Sequence, residues 1–98
     1  MIKFEKTFLD LGRHSVVPVA FEFRGVSNFN VPVNVSSATS CGCTKATHPD
    51  TLEPGEEFVL VGSFIKTSKI EHRKTVSVTC KGEGIDSTQV LSFSVTLT

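Results

Sequence analysis

Two of the chain's three cysteines stand in the pentapeptide Ser40-Cys41-Gly42-Cys43-Thr44, and thiols at that spacing can do chemistry. They could clip a soft metal ion, close a small disulfide ring, or supply a nucleophile. A closed zinc site needs ligands beyond two thiolates, and only Cys80, His48 and His72 come into question. Suppose the strand that ends at Ser37 pairs antiparallel with the strand that ends at Cys80. The end of the first then lies beside the start of the second. His72 falls near the pentapeptide, while Cys80 falls about eight residues up the sheet, more than roughly 20 Å away at about 3.3 Å per residue. Cys41, Cys43, His48 and His72 are thus the one metal set that this topology permits. A Cys41–Cys43 disulfide would close a strained, easily reduced ring, which Gly42 could allow. The preferred reading is plainer. Cys41 and Cys43 are expected as reduced thiols filling a tight corner at a strand end, with Gly42 supplying unusual dihedrals. No metal and no cofactor is assigned.

The histidines add no catalytic pattern. His14 falls in an early turn, His48 precedes a proline, and His72 lies in a polar stretch. None has a Cys, Ser or Asp at a spacing that suggests a nucleophile–base pair, so solvated loop positions are expected and an enzyme is not. Lys66, Lys69, His72, Arg73 and Lys74, with Glu71 among them, form the one local basic cluster. Ten basic residues balance ten acidic ones, which gives no electrostatic footprint for nucleic acid or an anionic membrane surface. With neither Trp nor Tyr, the chain also lacks the usual stacking platform for sugars or single strands.

The elements that position these residues are strands. Ile2 and Phe4 open a first strand that is expected to end near Gly12. Val17, Val19, Phe21 and Phe23 share one face of a second, opposite Pro18, Ala20, Glu22 and Arg24. Pro18 places that stretch at a bulge or a sheet edge. Residues 25–30 read as a turn, and Val31, Val33 and Val35 as the inward face of a third strand. Residues 36–55, rich in Ser, Thr, Gly and Pro, read as an elaborate loop with a short strand near Thr44–Thr47 and a turn at Pro54-Gly55. Residues 57–65 are apolar on both faces, as a covered central strand would be. A polar turn over residues 66–72 follows. Val76, Val78 and Cys80 then point inward, with Thr75, Ser77 and Thr79 outward. Gly82 and Gly84 mark a hairpin loop, and Leu91, Phe93, Val95 and Leu97 line the last strand. Helical periodicity is missing throughout. The 98 residues therefore predict a single domain over 1–98, an all-β sandwich of about seven antiparallel strands in two sheets.

The order of valine strand, Ser40-to-Thr44 pentapeptide, His48-Pro49-Asp50 loop and Glu53-Pro54-Gly55-Glu56 turn resembles a bacterial Ig-like family of unknown function. The resemblance extends upstream to Phe8-Leu9-Asp10-Leu11-Gly12 and Phe21-Glu22-Phe23, and downstream to the strand from Lys74 to Cys80. Members of that family share the architecture of hydin-like and major-sperm-protein-like domains, so the resemblance implies an Ig-like structural or scaffold module. The expected function is non-enzymatic docking on a protein partner, through a strand edge or through Ser40, Cys41, Gly42, Cys43, Thr44, Lys66 and Lys69. A component of a phage virion, such as a decoration or neck protein, is one form of that reading. The alternative class is a thiol- or metal-binding protein built on Cys41 and Cys43, with a small-ligand binder as a third. Ile2-Lys3-Phe4 after Met1 already reads as a strand, without a basic start and apolar run, so no signal peptide is expected within these residues unless a leader precedes them, and no run is long enough to cross a bilayer. Cytoplasmic or virion-associated localisation is the corresponding expectation.

Overall fold

The computed structural model describes residues 1–40 and 42–98. Alternating apolar residues fold there into nine strands: β1 (Ile2–Phe4), β2 (Phe8–His14), β3 (Val19–Ser27), β4 (Val33–Thr39), β5 (Thr44–Thr47), β6 (Thr51–Leu52), β7 (Glu57–Phe64), β8 (Glu71–Gly82) and β9 (Ile85–Leu97). They form two sheets, one of order β1-β3-β7-β5 and one of order β2-β9-β8-β4-β6. The fold is an Ig-like β-sandwich, and no helix forms among the described residues. Its inner faces meet over Phe23, Phe58, Phe64, Phe93, Leu60 and Leu91, all nearly inaccessible to water. Phe21 stacks on Phe93 at 4.4 Å between ring centres, and Phe64 meets Phe93 edge-on at 6.0 Å, so the two sheets are joined by aromatic contacts.

Several expectations are corrected. The expected first strand is two strands in different sheets, because the chain crosses at residues 5–7. β1 lies antiparallel to β3, whereas β2 runs parallel to β9, so the pairing is not uniformly antiparallel. The expected turn at residues 25–30 begins later, since β3 continues to Ser27. Gly25 is there for space. A Cβ at that position would stand 2.8 Å from both Ile2 Cγ2 and the Lys3 carbonyl oxygen, and β1 could not approach. Pro18 follows a cis peptide bond just before β3, and the stretch after it is open on one side as expected, because β1 pairs β3 only at residues 25–27. Val31 is half-buried and precedes β4, which itself runs on to Thr39. β7 is central as expected, but its second face is open to water: Val61 on it is 50% exposed, and Ile65 just past its end is 42% exposed. The two-residue β6 was not foreseen, because Thr51-Leu52 has no alternation to read.

The expected polar turn over residues 66–72 is shorter, since β8 begins at Glu71, and Val17 is half-buried ahead of β3. The other inward-facing assignments hold. Val19, Phe21, Phe23, Val33, Val35, Val76, Val78, Cys80, Leu91, Phe93, Val95 and Leu97 are buried. β5 has the expected bounds, and Gly55 takes a positive φ of 77° in the turn after Pro54.

Candidate docking surface

One end of the sandwich gathers most of the residues singled out in the sequence. β4 and β8 pair antiparallel with Thr39 opposite Val76, as the topological argument requires. Just beyond that pair, Ser40 N–H donates to the Thr75 carbonyl at 3.0 Å, and Thr75 N–H donates to Ser40 Oγ at 3.0 Å. On the facing sheet Thr44 lies opposite Phe64, and Ile65 N–H donates to the Cys43 carbonyl at 2.9 Å. Ser40, Cys43 and Thr44 are thus fixed beside the start of the 65–70 loop, which carries Lys66 and Lys69. Gly42 is exposed between them. Cys41 lies outside the described residues, and so do the readings that rest on it. Residues 14–18 border the same end, because Val19 pairs with Phe64 and Thr98 N–H donates to the His14 carbonyl at 3.0 Å.

This end is apolar and basic together. Val16, Ile65 and Ile70 are 73%, 42% and 59% exposed, although side chains of that kind normally seek the core. Lys45, Lys66 and Lys69 are exposed around them, and no ion pair forms to any of the three among the described residues. Arg73 differs. Its Nε donates to Glu71 Oε1 at 2.8 Å, and that bond together with the Glu71 charge raises the guanidinium pKa above its ordinary value. The basic cluster of the sequence therefore divides: Arg73 is neutralised on β8, and Lys66 and Lys69 remain available.

The histidines are not the solvated loop residues expected. His72 sits in β8, 4% exposed, its Nε2–H donating to the Ser68 carbonyl at 2.8 Å and its ring 4.9 Å from Phe64. It is a core residue because residue 72 falls in phase with Val76, Val78 and Cys80. His48 is half-buried, with Nδ1–H donating to the Pro49 carbonyl and Nε2 accepting from the Ser37 hydroxyl, both at 2.9 Å. That ring bridges from the β5–β6 connection to β4. His14 donates from Nε2 to the Leu11 carbonyl at 2.7 Å. The expectation for the cysteines is also corrected in part. Cys43 is disulfide-bonded, not a reduced thiol, and only Cys80 is free among the described residues. Burial pushes the Cys80 thiol pKa above its ordinary value. No group of three or more metal-ligating side chains forms among the described residues. A groove of about 230 Å³ lies elsewhere, where the chain changes sheets, between Glu5, Lys6, Leu9, Glu22, Phe23 and Arg24. Arg24 is ion-paired there with both Glu22 and Glu57. Val16 and Ile70 escaped the sequence reading, because single apolar residues in loops carry no period, whereas Ile65 reads there as part of a covered strand and instead lies exposed just past β7.

The architecture recurs in other proteins. The seventh PapD-like domain of human CEP192 superposes with a TM-score of 0.81 at 7% identity, over 99% of this chain and 84% of that one. A C. elegans member of the MSP family, WR4, gives 0.62 at 8% identity over 100% and 98%. The Acinetobacter baumannii CsuC–CsuE complex of a pilus chaperone with a tip adhesion subunit gives 0.74 at 7% over 99% and 57%. Two matched chains are enzymes, a protease and a xyloglucanase, of which this chain covers only 31% and 19%. The chain also spans about half the length of two further matches, 47% and 51%. At these identities the likeness is one of fold. No curated protein matches the sequence. A family profile does match, over residues 2–97, and the chain accordingly belongs to the family described as a protein of unknown function, DUF1573.

Proposed function

We propose that this domain is a non-enzymatic interaction module that docks on another protein through the end formed by residues 14–18, 40, 42–44 and 65–70. The observation that carries the reading is the exposure of Val16, Ile65 and Ile70 beside Lys66 and Lys69. Water-facing isoleucines gain from burial against a partner, at about 25 cal/mol per Å² of apolar surface. Unpaired lysines at the rim favour a partner that presents carboxylates. The fold supports the same reading, since PapD-like and MSP domains share it and one matched structure is a chaperone bound to an adhesion subunit.

The test is recovery of a partner on the immobilised domain from its native source, with K66E/K69E and Ile70→Asp as variants. We expect a specific protein partner, and a loss of binding of at least tenfold in each variant with unfolding midpoints unchanged. Co-recovery with virion proteins would identify the setting as a virion. Binding that ignores both variants would sink the assignment of the surface, and specific turnover of a small molecule would sink the class.

A further inference from the structure

We infer that the first half of β9 is a self-pairing edge, which joins two copies of this chain into an antiparallel dimer through Asp86, Thr88 and Val90. β2 pairs with β9 only from Ser92 onward. Ser92 N–H donates to the Thr7 carbonyl at 2.9 Å and Thr98 N–H to His14, so the even-numbered residues of β9 turn their backbone groups toward β2. Residues 86, 88 and 90 point the same way, and there β2 is no longer alongside. Their N–H and C=O groups have no partner strand among the described residues.

The other edges are guarded. At β1, Ile2 N–H donates to Gln89 Oε1 at 2.9 Å and Gln89 Nε2 donates to the Ile2 carbonyl at 2.8 Å, an amide standing in for a strand. β2 is broken by the shift between Asp10 and Arg13, where Gly12 has a φ of 72°. At β4, β6 and the Asp50 carbonyl occupy residues 33–35, and His48 lies against Ser37. β5 is only four residues long and carries an exposed lysine. The open part of β3 follows Pro18 and carries the Glu22–Arg24 pair. The stretch 85–91 has neither proline nor bulge nor lysine, and Val90 on it is 59% exposed. Such an edge is a template for another strand.

The occupant that fits is a second copy. The open groups are centred on Thr88, so a two-fold axis through that residue sets Thr88 against Thr88 and Asp86 against Val90 of the second copy. Every open donor and acceptor is then used in both copies. No like charges oppose each other, and the threonine pair is a favourable cross-strand neighbour. A chain of formal net charge zero also offers no long-range repulsion to its own copy. This contact does not depend on the docking end proposed above.

Sedimentation of the full chain over a range of concentrations tests it, with T88P and T88K as variants. The Thr88 N–H is unused within one copy, so the only bond that proline removes there is the exposed contact of the Thr88 and Thr79 hydroxyls at 3.1 Å, which T88K lacks as well, and T88K opposes two lysines on the axis. We expect a weak dimer, well populated near roughly 100 µM as befits a small interface. Both variants should raise its dissociation constant at least tenfold, with unfolding midpoints close to that of the parent chain. T88C should form a disulfide-linked dimer under mild oxidation where the parent chain forms none, because paired residues lie about 5.5 Å apart. A parent chain that stays monomeric, or a dimer that persists in both variants, would overturn the inference. So would a parent monomer whose edge instead captures a foreign strand, lost in T88K. K66E/K69E should leave the dimer intact, which separates this outcome from failure of the docking surface.

Discussion

Gly62 illustrates how tightly single residues are specified. A Cβ built there would stand 2.1 Å from Phe21 Cζ, and Phe21 is itself clamped by Phe93 at 4.4 Å and Phe23 at 5.9 Å. The ring cannot move aside, so Gly62→Ala is expected to destabilise by about 1–3 kcal/mol through overpacking. Gly42→Ala, where a Cβ would meet nothing within 4 Å, is the matched control. Midpoints of denaturant unfolding compare the two directly. Truncating Phe21 or Phe93 to Ala should cost about 3–5 kcal/mol, and Val33→Ala about 2, while Lys66→Ala should change little. Cys80 gives a chemical readout of the same packing. It is buried, free and raised in pKa, so it should react with a thiol reagent only on unfolding. Because the folded state holds that proton more tightly, the stability it contributes is complete below the unfolded thiol's pKa, about 8.5, and declines as pH rises through the higher folded value. Reaction of Cys80 in the native state, as fast as in urea, would contradict its placement.

At the scale of elements, the strands that can be read in the sequence are those whose one face meets the core and whose other face meets water. β8 and β9 are of that kind over residues 75–80 and 91–97, and they match the alternation closely. What escapes is whatever depends on a distant partner. The crossing at residues 5–7 leaves no local trace, because the alternation of Ile2 and Phe4 is as regular as that of a continuous strand. Gly25 reads as a turn residue until β1 is seen against it. The docking end shows the same division. That the end of β4 lies beside the start of β8 could be read from antiparallel pairing alone, and Ser40 is bonded to Thr75 there, whereas the burial of His72 required the phase of β8 to be carried four residues further than its valines. Gln89 is another residue whose role lies outside its own element, as it satisfies both backbone groups of Ile2 across the sandwich. Gln89→Ala should leave those part-buried groups unpaired, cost about 1–3 kcal/mol, and accelerate amide exchange at Ile2 before the core strands respond. Uniform exchange rates in the variant would mean that β1 is held by β3 alone.

At the scale of the molecule, the two proposed contacts occupy different ends of a body 45 Å long and 22 by 16 Å across. The hairpin turn at Gly84 leads into the open half of β9, and the lysine-bearing loop lies where β8 begins, so both contacts can be made at once. They also differ in physics. The docking end relies on Lys66 and Lys69, exposed charges whose attraction for carboxylates is screened over about 8 Å at physiological ionic strength. The β9 edge relies on backbone hydrogen bonds between uncharged groups, which salt screens far less. Raising sodium chloride from roughly 50 mM to 500 mM shortens the screening length about threefold. Retention of the partner by the immobilised domain should then fall at least fivefold. Over the same range the dissociation constant of the dimer, measured by sedimentation, should change less than twofold. The charge-reversed K66E/K69E chain, whose formal net charge becomes −4 because each of two Lys→Glu changes alters the balanced chain by −2, offers the converse check. Its residual partner binding should rise with salt rather than fall, since the repulsion it introduces is screened. Partner retention that is indifferent to salt in the parent chain would remove the lysines from the contact and leave Val16, Ile65 and Ile70 as its whole basis.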